Sequence, residues 1–210
     1  MSSEDRCRPS QGFDVAVQLT RGDVRIGRSI QTGPGVTVLF GRSGVGKTTT
    51  LHMIAGLIRP DKGHVRVNGE LLFDYRDGTD LAPEKRRAGY VFQDARLFPH
   101  RRVRWNLLYG APDDRRLGEI AAMLDVAHLL DRWPRTLSGG EVRRVAIGRA
   151  LLSEPRFLLL DEPLASLDAA RAEEVMRALE RLRDETGLSM LLVTHDREEA
   201  ERLGNHVVPM

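Results

Sequence analysis

Gly41, Arg42, Ser43, Gly44, Val45, Gly46, Lys47 and Thr48 follow the spacing G-x-x-x-x-G-K-[ST]. The apolar run Val36 to Phe40 precedes them and a helical pattern follows from Lys47, so the strand and helix that such a loop requires are both in place. Glycines let the backbone curl until its N–H groups and the start of the helix face a single point, a geometry suited to phosphate. Lys47 adds a compact positive charge, Thr49 stands next in the helix's first turn, and the Thr48 hydroxyl can hold Mg2+. A glycine-rich turn with no ligand explains neither the lysine nor the hydroxyl.

Chemistry on a phosphate chain needs carboxylates nearby, and Phe157, Leu158, Leu159 and Leu160 run directly into Asp161 and Glu162. A wholly apolar run of this kind is the mark of a central strand buried on both faces. Asp161, at its end, is placed to hold Mg2+ through its hydration shell, and Glu162 is the candidate base that orients an attacking water. On its own the pair reads equally well as a solvated strand end. Beside the phosphate loop the chemical reading takes precedence.

A third constellation is Leu137, Ser138, Gly139, Gly140 and Glu141. Ser-x-x-Glu is a capping box, and it opens a helix running through Val145, Ala146 and Ala150. The box accounts for Ser138 and Glu141 but not for two glycines in a first turn, each costing about 1 kcal/mol against alanine. Something is expected to approach the backbone there closely.

These residues need a scaffold that alternates strands with helices. Short aliphatic runs at Val36 to Phe40, Val65 to Val67, Gly89 to Phe92, Phe157 to Leu160 and Met190 to Val193 alternate with helical patterns, which reads as α/β with a mostly parallel sheet. Turn residues at Pro60 to Gly63 and at Asn68 and Gly69 make the region around Val65 antiparallel, a second sheet meeting the first. From about Asp94 to Leu137 the strand signal disappears, and Leu117, Ile120, Ala121 and Leu124 recur at helical spacing, predicting an inserted helical subdomain. Met176, with Ala172, Val175, Leu179 and Leu182, reads as core packing on a helix.

At 210 residues, with 41% hydrophobic and 30% charged, the chain reads as one domain with a real core, which excludes disordered, fibrous and membrane-spanning classes. Thirty-two basic against thirty acidic residues leave a formal charge of +2, too balanced to predict a nucleic-acid partner. Arg101, Arg102 and Arg104, and Arg143 with Arg144, read as solvated faces. The single cysteine, Cys7, fits a reducing compartment, and Met1 to Gly12 reads as a frayed start with no signal segment. A cytosolic protein is expected.

Taken together, the motifs resemble the nucleotide-binding subunits of ABC transporters over nearly the whole chain. The family's Leu-Ser-Gly-Gly-Gln signature is matched by Leu137 to Glu141, with glutamate in the last place; its glutamine loop falls on Gln93, its aspartate loop on Ser166, Leu167 and Asp168, and its switch histidine on His195 after Thr194. The resemblance implies a P-loop NTPase core with an antiparallel β subdomain and an inserted helical subdomain, using ATP and Mg2+. Gln93 and His195 would join Glu162 at the reacting phosphate, and Gln93 would join Thr48 and Asp161 at the metal. Two copies would pair head to tail, each ATP lying between one P-loop and the partner's Ser138, Gly139, Gly140 and Asp168, beneath membrane permease subunits served by a substrate-binding protein.

Within the family, Pro83 to Arg87, Gly89 to His100, Ile147 to Arg149 and Pro163 to Asp168 are similar to the ATPases of molybdate importers, a likeness that sulfate, iron and sugar importers share in large part. Leu97, Phe98 and Pro99 are candidates for receiving a permease helix, or for packing inside the helical insertion. Two departures stand out. Where the family stacks an aromatic ring on adenine this chain has Arg21, and the chain ends at Met210 in an expected late strand, so regulation through a C-terminal ligand-sensing domain is not expected. A soluble non-transport ATPase of the same family, and a cassette that binds ATP with poor turnover, are the alternative readings.

Overall fold

The computed structural model describes residues 11–210, so Cys7 and most of the expected frayed start lie outside it. Gly12 is the first glycine described, and its N–H donates to Asn68 Oδ1 at 2.9 Å. The chain then forms two five-stranded sheets. One is parallel throughout, in the order β10 (His206–Pro209), β3 (Val36–Phe40), β9 (Ser189–Thr194), β8 (Phe157–Asp161), β7 (Ala88–Val91). The other is antiparallel: β2 (Val24–Gln31), β1 (Phe13–Arg21), β4 (Lys62–Val67), β5 (Glu70–Asp74), β6 (Thr79–Asp80).

Burial follows from this layering. Strands β8 and β9 are buried at every residue because both faces of their sheet are covered. Leu158 and Leu160 pack with helices α5 (Gly139–Leu152) and α6 (Ala169–Thr186). Phe157 and Leu159 point the other way, into the core shared by helix α1 (Lys47–Ala55) and the antiparallel sheet. The period-2 alternation of a strand thus feeds two cores at once. Met176 is buried in the first of these.

Between β7 and α5 the chain forms only short helices, chiefly α3 (Val103–Leu107) and α4 (Leu117–Met123). Their apolar faces, including Val103, Leu107, Leu117, Ile120 and Leu124, pack into the same core as α5. Helix α7 (Arg197–Leu203) follows β9. The fold is therefore α/β with a parallel core, an antiparallel β subdomain and a helical subdomain.

One arginine ties three of these parts together. Arg86, the last residue of the short helix α2 (Pro83–Arg86), is wholly buried. Its Nη1 donates to the carbonyls of Met53 and Ile54, both at 2.9 Å, its Nε to that of Leu81 at 2.7 Å, and its Nη2 to Asp80 Oδ1 at 3.0 Å. The first two carbonyls belong to the last turn of α1, where helical oxygens lack partners and the dipole is negative. Gly56, at φ +80°, ends that helix, and a Cβ there would lie 2.7 Å from Arg86 Nε. Arg86→Met is expected to lower the unfolding free energy by about 3–5 kcal/mol, measured by urea titration, because it strands several buried acceptors. A loss below about 1 kcal/mol would mean that water reaches those oxygens instead.

The structure corrects the reading of Arg143 and Arg144 as a solvated pair: both lie on α5 and are only 7% and 5% exposed. Arg144 Nη1 meets Glu174 of α6, and Arg143 Nη1 donates to main-chain oxygens of the segment after β7. Arginines can be buried where an acceptor set replaces water, and here distant segments supply it.

Candidate functional site

In a parallel sheet the strands end together, and loops at their carboxyl edge share one crevice. Phe40 pairs with Thr194 and Asp161 with Val193, so β3, β8 and β9 deliver the glycine-rich loop, Glu162 and His195 to the same edge. The N–H of Gly41 donates to the Thr194 carbonyl at 3.3 Å, fixing the start of the loop against the neighbouring strand.

Helix α1 begins at Lys47 with no side-chain cap on its N-terminus and no acidic residue in its first turn. Its positive end is left unneutralised, as an anion site requires. The preceding Gly46 has φ +96°, and a Cβ there would meet Ile26 at 3.2 Å. The bend of the loop and the close approach of β2 both need glycine at this place.

Lys47 is 4% exposed, and its Nζ donates to the carbonyls of Gly41 at 2.7 Å and Arg42 at 2.9 Å. The same ammonium lies 3.8 Å from Glu162 Oε1, and His195 Nδ1 lies 3.5 Å from Glu162 Oε2. Glu162 therefore stands between two nitrogen groups, mostly buried. Its φ of +46° is in the left-handed region, uncommon for a side chain of this size. Its backbone holds that shape by donating to Val193 O at 3.0 Å and accepting from Ala165 N at 3.1 Å.

Thr48 Oγ1 donates to Asp161 Oδ1 at 2.9 Å, joining the loop to the end of β8. Burial raises the Asp161 carboxyl above its ordinary range, and the Thr48 hydrogen bond works against that rise. Behind it His52 of α1 and Tyr90 of β7 face each other at 5.8 Å, and Tyr90 stacks on Phe92 at 4.1 Å. Burial lowers the His52 imidazole and raises the Tyr90 phenol, so both favour their neutral forms. A hydroxyl paired with a carboxylate in a partly dry setting is the oxygen donor set that suits Mg2+.

The pocket above the loop is lined by Ser43, Gly44, Gly46, Lys47, Thr48, Thr49, Gln93, Glu162 and Ile26. Gln93 is exposed and projects from the segment after β7. Ile26 was not among the sequence candidates; only the pairing of β1 with β2 brings it over the loop, where Arg28 also donates to the Val45 carbonyl. Arg21 sits at the turn of that strand pair, two residues along from Leu19, the partner of Ile26; it is exposed, opposite Val24, and does not line the pocket.

The remaining candidates gather elsewhere. Ser138 N donates to Glu141 Oε2 at 2.7 Å and Glu141 N to Ser138 Oγ at 3.3 Å, a complete capping box. Burial alone would raise the Glu141 carboxyl, but the Ser138 hydrogen bonds with Arg132 and Arg144 hold it below its ordinary value. A Cβ on Gly139 would meet Leu167 Cδ2 at 2.9 Å, and one on Gly140 would meet Arg171 Cβ at 3.3 Å. A close approach to these glycines is thus made within the chain, by Leu167 in the turn before α6 and by Arg171 in its first turn. Asp168 caps α6, accepting from Arg171 N at 3.0 Å.

Leu97 packs against the core of the helical subdomain, and Phe98 lies 4.5 Å from Tyr109. Tyr109 and Trp105 nearby are both more than half exposed. Among the described residues no helix is long and apolar enough to cross a membrane.

Residues 28–165 match the family model described as ABC transporter. Among curated proteins, the Molybdenum import ATP-binding protein ModC of Brucella abortus (strain 2308) is 50% identical over 202 residues, covering 94% of this chain and 56% of that protein. The protein of the same description from Pectobacterium atrosepticum is 52% identical over 176 residues, covering 83% of this chain and 50% of its own length. The chain spans about half the length of these relatives. Among solved structures, cbiO1 from Clostridium perfringens, described as part of the ABC transporter complex cbiONQ, superposes with a TM-score of 0.82 at 28% identity, covering 96% of this chain and 85% of that one. The ATP-binding cassette MJ0796, in a dimeric post-hydrolysis state bound to ADP and Pi, gives a TM-score of 0.72 at 28% identity, covering 94% and 92%.

Proposed function

This chain belongs to the ABC transporter family, and from that membership we infer that it is the ATP-hydrolysing subunit of an importer for molybdate or a related oxyanion. The arrangement that carries the chemical half of the reading is Glu162 held between Lys47 and His195, with Thr48 on Asp161 beside them. The transport half rests on the 50% identity to the molybdenum import proteins.

In this reading the uncapped start of α1 and the Lys47 ammonium bind the β- and γ-phosphates of ATP. Thr48 and Asp161, with Gln93 across the pocket, would hold Mg2+, which when bound neutralises charge on the phosphate oxygens. Glu162 accepts a proton from water and so orients it toward the γ-phosphate. His195, within 3.5 Å of that carboxylate, keeps it aimed and adds a donor at the pocket's rim. The aliphatic side chain of Ile26 and the walls of the loop exclude bulk water from one side.

A second copy of the chain, turned head to tail, would bring Ser138, Gly139 and Gly140 to the γ-phosphate held by the first. Exposed Trp105 and Tyr109 beside Phe98 offer an apolar surface for permease subunits, and a substrate-binding protein would act through those. Removing the chain from its cell is expected to abolish uptake of labelled molybdate, with rescue by the unaltered chain and not by Lys47→Ala. Loss of iron or sugar uptake with oxyanion uptake intact would overturn the substrate class, while the purified chain's release of phosphate from ATP tests the chemistry separately.

A further inference from the structure

Arg143 is a charged side chain buried without a carboxylate at hydrogen-bond distance. It stands on α5, five residues after the Ser138 cap, or about 7.5 Å along the helix axis. Its Nη1 donates to the carbonyl of Phe92 at 3.0 Å and, more closely, to that of Gln93. Further along the same helix Arg149 donates through Nη2 to Ala95 O and through Nη1 to Arg96 O, both at 2.8 Å. No helix or strand holds the segment from Phe92 to His100, whose carbonyls thus lack a ladder. The arginines of α5 supply donors that secondary structure would otherwise provide.

This placement has a mechanical consequence. Gln93 lines the phosphate pocket of its own chain, while the N-terminus of α5 carries Ser138, Gly139 and Gly140. A guanidinium is a planar, rigid fork, and in a site this dry its hydrogen bonds cannot be exchanged readily for water. Displacing Gln93 by an ångström would pull on α5, and tilting α5 would pull on Gln93.

We propose that Arg143 is a positioning residue that locks the Gln93 segment to the helix bearing Ser138, so that Gln93 in the pocket and the helix N-terminus move as one unit. The link rests on the ATPase reading for its effect on rate but not for its existence. Arg143 lies outside the pocket and touches no reacting atom.

The test combines hydrogen exchange with a double-mutant cycle. In Arg143→Ala, amides of Gln93 to Leu97 should exchange at least about tenfold faster, while those of β8 and β9 keep their protection. Hydrolysis should lose about tenfold in kcat with KM for ATP within about twofold, and Arg143→Lys should recover most of the loss through its remaining donor. In a Gln93→Ala background, adding Arg143→Ala should cost less than about twofold more, since the residue acts through Gln93. Unchanged exchange at Gln93 to Leu97, or fully additive losses, would overturn the link. Should Arg143→Ala fail to fold, Arg143→Gln and Arg143→Lys carry the same comparison. If ATP gives no protection over Gly41 to Thr49 in the unaltered chain, the ATPase reading fails, whereas exchange without nucleotide still tests the link.

Discussion

Replacing Glu162 by Gln is expected to cut ATP hydrolysis by about a hundredfold or more while ATP binding stays within a fewfold of the unaltered chain. The amide keeps the length and most of the hydrogen-bonding shape of the carboxylate but cannot take a proton from water. Lys47, 3.8 Å away, loses an anionic neighbour, which leaves its charge freer for phosphate. Binding should therefore hold or tighten as turnover falls. With hydrolysis blocked, an ATP-bound dimer should build up and elute earlier from a sizing column, and adding EDTA should return it to monomer. Phosphate release and a nucleotide-binding titration on the same preparation make the comparison. Hydrolysis within a fewfold of the unaltered chain would remove Glu162 from the role of base and shift attention to His195 as the group that positions water.

How much of this was legible in the sequence depends on whether the signal was local. The loop from Gly41 to Thr48 and the run from Phe157 to Glu162 were readable because each motif and its supporting element are contiguous. Strand β8 is buried on both faces, so its four apolar residues in a row had one natural reading. Strand β2 offered no such pattern: of its eight residues only Ile30 is buried, since it lies at the edge of its sheet. Its Ile26 therefore carries no local mark in the sequence, although the fold places it over the loop. Strand β1 does alternate, with Phe13, Val15, Val17 and Leu19 all buried, and the Gly22–Asp23 pair after Arg21 makes the two-residue turn to Val24.

The arginines show the opposite limit. Nothing near Arg143 in the chain distinguishes it from a solvated charge, because the oxygens that accept from it, at Phe92 and Gln93, lie about fifty residues earlier. Side-chain type alone predicts exposure for an arginine, and only the acceptors that the fold brings to it reveal the exception. The glycines of the signature sit between these cases. Their cost in a first helical turn announced a close approach, and only the fold could reveal that Leu167 and Arg171 make it. That contact does not exclude a phosphate, because the N–H groups of Gly139 and Gly140 are left unused by the capping box, whose bonds run between Ser138 and Glu141. It does change what a substitution there must control for.

Mixing two inactive chains is expected to restore hydrolysis if each site is shared between copies. Gly140→Asp puts a carboxylate at a helix N-terminus, which suits the helix dipole but repels a γ-phosphate. Its Cβ would need a shift of a few tenths of an ångström from Arg171, so its melting temperature must first be shown to match the unaltered chain. Lys47→Ala removes the buried ammonium from the loop and is expected to weaken nucleotide binding itself. Each chain alone should hydrolyse ATP at less than about a hundredth of the normal rate. In a head-to-tail pair of the two, one interface collects both lesions and the other joins an intact loop to an intact Ser138–Gly140 turn. An equal mixture forms heterodimers for about half of its pairs, each with one sound site of two, so activity should rise toward about a quarter of normal. Glu141 does not stand in the way, because its carboxylate is taken up by the Ser138 N–H in the capping box, which leaves the Gly139 and Gly140 N–H groups open. Activity no higher than that of either parent, from chains that still melt normally and still pair by sizing chromatography, would place Gly140 in action on its own chain's nucleotide and sink the shared-site arrangement.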